Sequence, residues 1–182
     1  MSRSQRLILT IAILASFVAF LDGTLINVAL PAIETELGGG LTTQQWVVDA
    51  YLITLGSLIL LAGSISDAFG RLLVLRIGLY GFAAASVVIA IAPDPVILII
   101  ARAVQGAAGA FLVPSSLALI TSRFDGAMRG RAIGIWTAMT TGAMIVGPLI
   151  GGVFVDYLSW RFAFVINVVP IGITLWLLHT LG

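Results

Sequence analysis

The stretch FLDGTLINVALP (residues 20–31) places Asp22 between two apolar runs, LILTIAILASFVAFL before it and TLINVAL after it. An ionised Asp near the centre of a membrane helix costs roughly 2.5 kcal/mol or more. A partner, a proton or a water-filled cavity must offset that cost. A second apolar run, ARAVQGAAGAFLVP, holds the opposite charge at Arg102. Asp22 lies roughly 12 Å below the outer end of its run at ~1.5 Å rise per residue, and Arg102 lies at comparable depth. Burial opposes the charge on a carboxylate and a guanidinium alongside favours it. Asp22 and Arg102 are therefore expected to approach one another, as a proton or cation coupling site or as a static pair holding helices together. Gln105 and Gly106 share the helical face of Arg102, which must point inward because an Arg in lipid needs pairing or hydration.

Other residues carry weaker chemistry. Asp67 and Arg71 are four apart around a turn, where Gly70 permits tight geometry and Gly63 permits close helix approach. Asn27 precedes Pro31 by four, so its carbonyl loses a donor and the helix can bend or end there. Gly147-Pro148 followed by Gly151-Gly152 reads as a kink. Asp49 sits near the outer mouth of its apolar run and reads as a hydrated acid or, less directly, as a further site. His179 reads as an interfacial residue. Cysteine is absent and His179 stands alone, so no metal centre is expected. No nucleophile–base pair or phosphate loop appears, which argues against an enzyme.

The elements that position these residues follow from composition. The chain is 60% hydrophobic and 9% charged, with nine arginines and no lysine, against about 25% charged residues in a soluble domain. Six segments reach the ~20 apolar residues that a bilayer requires: near 7–30, 46–66, 72–92, 96–120, 131–154 and 161–181. Backbone groups in lipid must satisfy one another, so an all-α membrane protein of six transmembrane helices is expected, as one unit over residues 1–182. Arg3, Arg6, Arg71, Arg76, Arg123, Arg129 and Arg131 fall on one side of these spans, and Arg161 with Glu34, Glu36, Asp94 and Asp156 on the other. Positive residues stay inside, so both termini are expected in the cytoplasm of a multi-pass cell-membrane protein.

Small residues mark helix contacts. Ala12, Ala15, Ala19 and Asp22 form one stripe, and Gly130, Gly134, Ala138 and Gly142 another, continued by Ala143, Gly147 and Gly151. GSISDAFGR (63–71) and GVFVDYLSWR (152–161) both read Gly, three residues, Asp, then an Arg. They close spans two and five on opposite sides of the membrane, the relation that a three-plus-three inverted repeat produces.

Five stretches together carry a family resemblance. LDGTLINVALP, GSISDAFGR, ARAVQGAAGAFLVP, GAMIVGPLIGG and SWRFAFVINVVPIG occur in order along the chain. They resemble the signature motifs of the N-terminal half of major facilitator superfamily transporters, in the fourteen-helix drug:proton antiporter branch. Ala68 and Leu72 replace the usual basic residues of the second motif, Val169 is an extra residue in the fifth, and Asp49 stands where the branch is usually uncharged. The resemblance implies one half of a major facilitator fold. It implies that Asp67 latches against a helix of the other half, and that Gly147, Pro148, Gly151 and Gly152 mark exchangers. It further implies proton-coupled efflux of amphipathic or cationic small molecules by alternating access, driven by the proton motive force without a cofactor. The expected partners are the lipid bilayer, a small-molecule substrate, and a C-terminal half or second copy; nucleic acid is not expected. A family member carrying another solute, or a truncated six-helix bundle without transport of its own, are the alternatives.

Overall fold

Residues 1–181 are described by the computed structural model. Eight helices follow in order: α1 (Arg3–Leu37), α2 (Gly40–Phe69), α3 (Arg71–Ala90), α4 (Pro95–Gly109), α5 (Leu112–Arg123), α6 (Gly126–Tyr157), α7 (Phe162–Val165) and α8 (Val168–His179). They make six apolar spans, because α4 with α5 forms span four and α7 with α8 forms span six. The helices overrun the apolar stretches read from the sequence at several ends, since polar residues at a helix terminus keep helical geometry beyond the hydrocarbon.

Local chemistry sets the ends. Ser2 and Gln5 form a capping box at the start of α1, with Gln5 N donating to Ser2 Oγ at 3.1 Å and Ser2 N donating to Gln5 Oε1 at 3.0 Å. Gly38, Gly39 and Gly40 all take positive φ, so the chain reverses between spans one and two in a backbone conformation that residues with a side chain rarely adopt. Asp94 caps α4 by accepting from Val96 N and Ile97 N at 2.9 and 3.0 Å, with Pro95 in the first turn.

Proline does not act alike everywhere. Span four is interrupted ahead of Pro114, where Phe111 N turns to Ala108 O at 3.1 Å, and span six is interrupted ahead of Pro170, where Val169 N turns to Ile166 O at 3.2 Å. Both are the tighter i−3 bonds that replace lost helical ones. By contrast, α6 continues through Pro148 and α1 through Pro31. Span one therefore does not end at Pro31, and span five continues as one helix through the Gly147-Pro148 pair. Gly147 and Gly151 instead bring α6 onto span one: a Cβ at Gly147 would overlap Thr24 Oγ1 and approach Leu21 O to 3.1 Å, and one at Gly151 would meet Leu25 O at 3.2 Å. Gly152 faces open space, as do Gly130, Gly134 and Gly142. Only the Ala143–Gly147–Gly151 half of the span-five stripe is a helix seam.

Span one is the most buried of the six, and spans two and five are the least. The two most extensive seams join span one to five and span two to four. Exchanging one with four, two with five and three with six converts each seam into the other, which is the pattern of a three-plus-three repeat. Arginines repeat it. Arg161 donates across to Glu36 Oε1 at 2.7 Å and to Ala90 O and Ala92 O at 2.8 and 3.0 Å, tying the far ends of spans one and three. At the opposite end Arg71 donates to Ala118 O and Arg76 to Leu178 O, both at 2.8 Å, tying the ends of spans four and six. Asp156, which the sequence echo sets in the place of Asp67, is exposed and forms no ion pair with Arg161. The equivalence lies in what the arginines hold.

Candidate functional site

Two of three apolar cores adjoin along the bundle, one containing Leu21, Leu25 and Ala101, the other Ala19, Phe82 and Ala108. Between them lies a buried polar cluster. Asp22 is 1% exposed and Arg102 fully buried, and Arg102 Nη1 donates to Asp22 Oδ2 at 2.6 Å. The same nitrogen donates to Gln105 Oε1 at 2.6 Å, while Arg102 Nε donates to Val47 O of span two at 3.0 Å. Gln105 Nε2 donates to Asp22 Oδ1 at 3.1 Å and to Ser86 Oγ of span three at 2.9 Å. From span six, Asn167 Nδ2 donates to Asp22 Oδ1 at 2.7 Å. One carboxylate thus joins spans one, four and six directly, and spans two and three through its partners.

The guanidinium carbon sits 4.3 Å from the centroid of the Tyr51 ring and 5.8 Å from that of Phe164. Both faces give cation–π attraction, which gains from desolvation. Isolated, neither charge could be buried at acceptable cost; paired and hydrogen-bonded, they satisfy the requirement for a buried ion pair. Two buried atoms of the cluster stay without a partner: Arg102 Nη2, a donor, and Asn167 Oδ1, an acceptor.

Tyr51 also lines a cavity of about 260 Å³, with Ala19, Gly23, Thr24, Leu55 and Met144 among its walls. Its lining is apolar apart from the hydroxyls, and Gly23 and Thr24 follow Asp22 directly in the chain. Gln105 and Gly106, read from the sequence as a cavity face, are both buried inside the bundle. Gln105 turns into the polar cluster, and Gly106 packs so tightly on span two that a Cβ would overlap Tyr51 O and Thr54 Oγ1.

The remaining sequence candidates are spread out. Arg71 Nη2 lies 3.2 Å from Asp67 Oδ1, with the two side chains 35% and 67% exposed. Gly70 has φ +98, and Gly63, expected to admit a close helix, meets nothing within 4 Å. Asn27 Nδ2 donates to Gly23 O and Thr24 O of its own helix at 3.4 and 3.3 Å and reaches no other span. Asp49 is exposed, with no ion pair among the described residues.

Sequence reading assigned no role to Asn167, Tyr51 or Ser86. Asn167 had a signal: it is the sole polar residue in FAFVINVVPIGI (162–173), the same anomaly that singles out Asp22. Tyr51 and Ser86 gave none, because amphipathic and small polar side chains are common in membrane spans.

Comparison with known proteins fits this architecture. Residues 12–181 match the Major Facilitator Superfamily model. Puromycin resistance protein pur8 of Streptomyces alboniger is 42% identical over 160 residues, 87% of this chain and 32% of that protein. Multidrug transporter protein MdtP of Bacillus subtilis is 38% identical over 169 residues, 93% of this chain and 31% of that protein. Among solved structures, the xylose transporter XylE from E. coli, partially occluded and inward open, has a TM-score of 0.84 at 18% identity, covering 97% of this chain and 49% of that one. A peptide transporter POT has a TM-score of 0.83 at 14% identity, covering 95% and 37%. At such identities these structures establish the fold alone. The chain spans about a third of the length of the curated relatives it matches. On the family match and on relatives of this identity and extent, the chain belongs to the Major Facilitator Superfamily.

Proposed function

We propose that this chain is the N-terminal six-helix unit, over residues 1–182, of a proton-coupled exporter of amphipathic or cationic small molecules working by alternating access. The observation that carries the reading is the Asp22–Arg102 pair at 2.6 Å, buried at mid-depth beside a cavity. Ionisable groups inside membrane spans mark ion and substrate pathways by default. Asp22 takes and gives up the proton, and Arg102 is the countercharge that makes the choice sensitive to substrate or conformation. The printed names of the relatives, puromycin resistance and multidrug transport, support the substrate class. The apolar cavity lining supports an apolar body on the substrate, which leaves any cationic group to other walls of the carrier.

The protein is read as a carrier and not an enzyme, powered by the proton motive force with no cofactor. It lies in the cell membrane with both termini cytoplasmic, on the distribution of its arginines. Its partners are the bilayer, the substrate, and a C-terminal half or second copy that supplies the facing wall; no nucleic acid is involved. Asp67, with Arg71, Gly63 and Gly70, forms the inner latch against that second wall, where a helix N-terminus favours an anion by about 0.3–1 kcal/mol. Gly147 and Gly151 hold span five against span one during rocking, and Pro148 and Gly152, on the open side of the same turn of helix, let it flex. Asn27 and Asp49 are assigned secondary parts at the outer half of the pathway.

The test uses a complete carrier containing this chain, reconstituted into vesicles with an imposed pH gradient. Substrate flux driven by the gradient is expected, and Asp22→Asn is expected to abolish it. Unchanged pH-driven flux in Asp22→Asn overturns the assignment.

A further inference from the structure

The hydrogen bonds around Asp22 are one-sided. All three groups that reach its carboxylate are donors: Arg102 Nη1 on Oδ2, and Gln105 Nε2 and Asn167 Nδ2 on Oδ1. A carboxylate, which only accepts, is fully served by them. A carboxylic acid is not, because its O–H needs an acceptor, and an unmet buried donor costs about 1–3 kcal/mol.

The acceptors within the cluster can be compared one by one. Gln105 Oε1 already accepts from Arg102, and its amide is pinned in that sense because Nε2 donates to both Asp22 and Ser86. Ser86 Oγ accepts from Gln105 and makes no hydrogen bond with Asp22. The unpartnered Arg102 Nη2 is a donor and cannot serve. Asn167 Oδ1 is buried, has no partner, and belongs to an amide held by a single hydrogen bond, to Asp22 itself. Turning that amide over breaks only this bond and exchanges Nδ2 for Oδ1 at the Asp22 oxygen. The other charged or titratable groups at hand are Arg102 and the Tyr51 ring beneath it, whose hydroxyl donates to Ala19 O at 3.4 Å. Spans three and six present the uncharged Ser86 and Asn167, and no titratable group of span five contacts Asp22 among the described residues.

We infer that Asn167 is the positioning residue that follows the proton on Asp22: its amide donates to the carboxylate and, turned over, accepts from the acid. Its place favours this. Asn167 lies at the interruption of span six ahead of Pro170, between α7 and α8, where Asn167 N bonds to Phe164 O at 3.2 Å in place of a regular helical bond. A change at its side chain is therefore delivered to a joint in the helix, so that span six senses the protonation state of span one. The inference rests on the reading of Asp22 as a proton site, and deepens it.

Asn27 and Asn167 are the two asparagines of the chain, so a sample labelled with ¹⁵N in its asparagine side chains gives two amide signals. Asn27 bonds only to its own helix and serves as the internal control. The chain is placed in lipid nanodiscs and the signals are followed against pH, with Asn27→Ala assigning them by elimination. Asn167 is expected to shift on acidification, one of its N–H groups losing the downfield position given by a charged acceptor, while Asn27 stays. In Asp22→Asn, which adds a third asparagine amide recognised by its absence from the parent protein, the Asn167 signal is expected at the acid-side position at every pH. Asn167 signals that stay fixed over the whole range in which the fold persists overturn the inference, as does an identical pH response in Asp22→Asn. The readout needs no transport: vesicle flux without an Asn167 response defeats this inference alone, and an Asn167 response without flux leaves it standing while the transport reading falls.

Discussion

Replacing Arg102 by Met removes a fully buried guanidinium and keeps an unbranched apolar side chain in its place. Three hydrogen bonds go with it, to Val47 O, Asp22 Oδ2 and Gln105 Oε1. Asp22, 1% exposed, keeps only two neutral amide donors and no countercharge. Breaking a buried pair in this way costs about 3–5 kcal/mol. Asp22→Asn alone strands the guanidinium instead and is expected to cost a similar amount. The double variant leaves no buried charge, so its cost is expected near that of either single and well below their sum, a coupling of about 3–5 kcal/mol. Equilibrium unfolding of the purified chain, from mild into denaturing detergent and read by tryptophan fluorescence, measures all three. Costs that add to within about 0.5 kcal/mol mean that the charges are independent, and the pairing argument fails.

Close helix approach gives a contrast within one residue type. Gly106→Ala and Gly147→Ala place a Cβ on backbone or a pinned side chain of the facing span and are expected to cost about 1–3 kcal/mol in the same unfolding assay, whereas Gly134→Ala, in open space, is expected to be neutral. Glu36→Ala removes the acceptor of the Trp160 indole, 2.7 Å away, and of Arg161; the Trp160 N–H resonance is expected to move upfield, with a stability loss of about 1 kcal/mol or less because the pair is partly solvated. Asp67→Asn breaks only an exposed i, i+4 pair, while Arg71 keeps its bond to Ala118 O, so this chain is expected to lose no more than a few tenths of a kcal/mol. A larger loss would place Asp67 in the packing of this bundle and not in a latch.

Charge was the most readable feature of the sequence. Asp22 and Arg102 stand out because a charge in an apolar run is costly and rare, and matching depth with opposite sign leaves few partners. The six spans were legible for the same reason, since apolar length is what a bilayer demands. Asn167 was harder to single out: an amide is far cheaper to bury than a carboxylate, and its meaning depends on a partner 145 residues away. The prolines were misleading one at a time. Sequence alone does not set Pro114 and Pro170 apart from Pro148, yet spans four and six are interrupted ahead of their prolines while α6 continues through Pro148, with Gly147 and Gly151 seated on span one. Glycine spacing located that seam but also marked Gly130, Gly134 and Gly142, which face open space. Periodicity shows where a helix can approach another, while the order of packing decides which face is used.

Whether Asp22 couples the proton to the substrate is decided by comparing two fluxes through one variant of a complete carrier. Substrate-for-substrate exchange across vesicles at equal pH needs a folded pathway but no net proton movement, whereas uphill flux driven by a pH gradient needs both. Asp22→Asn is expected to retain exchange and lose gradient-driven flux. Gradient-driven flux that survives in proportion to exchange contradicts it.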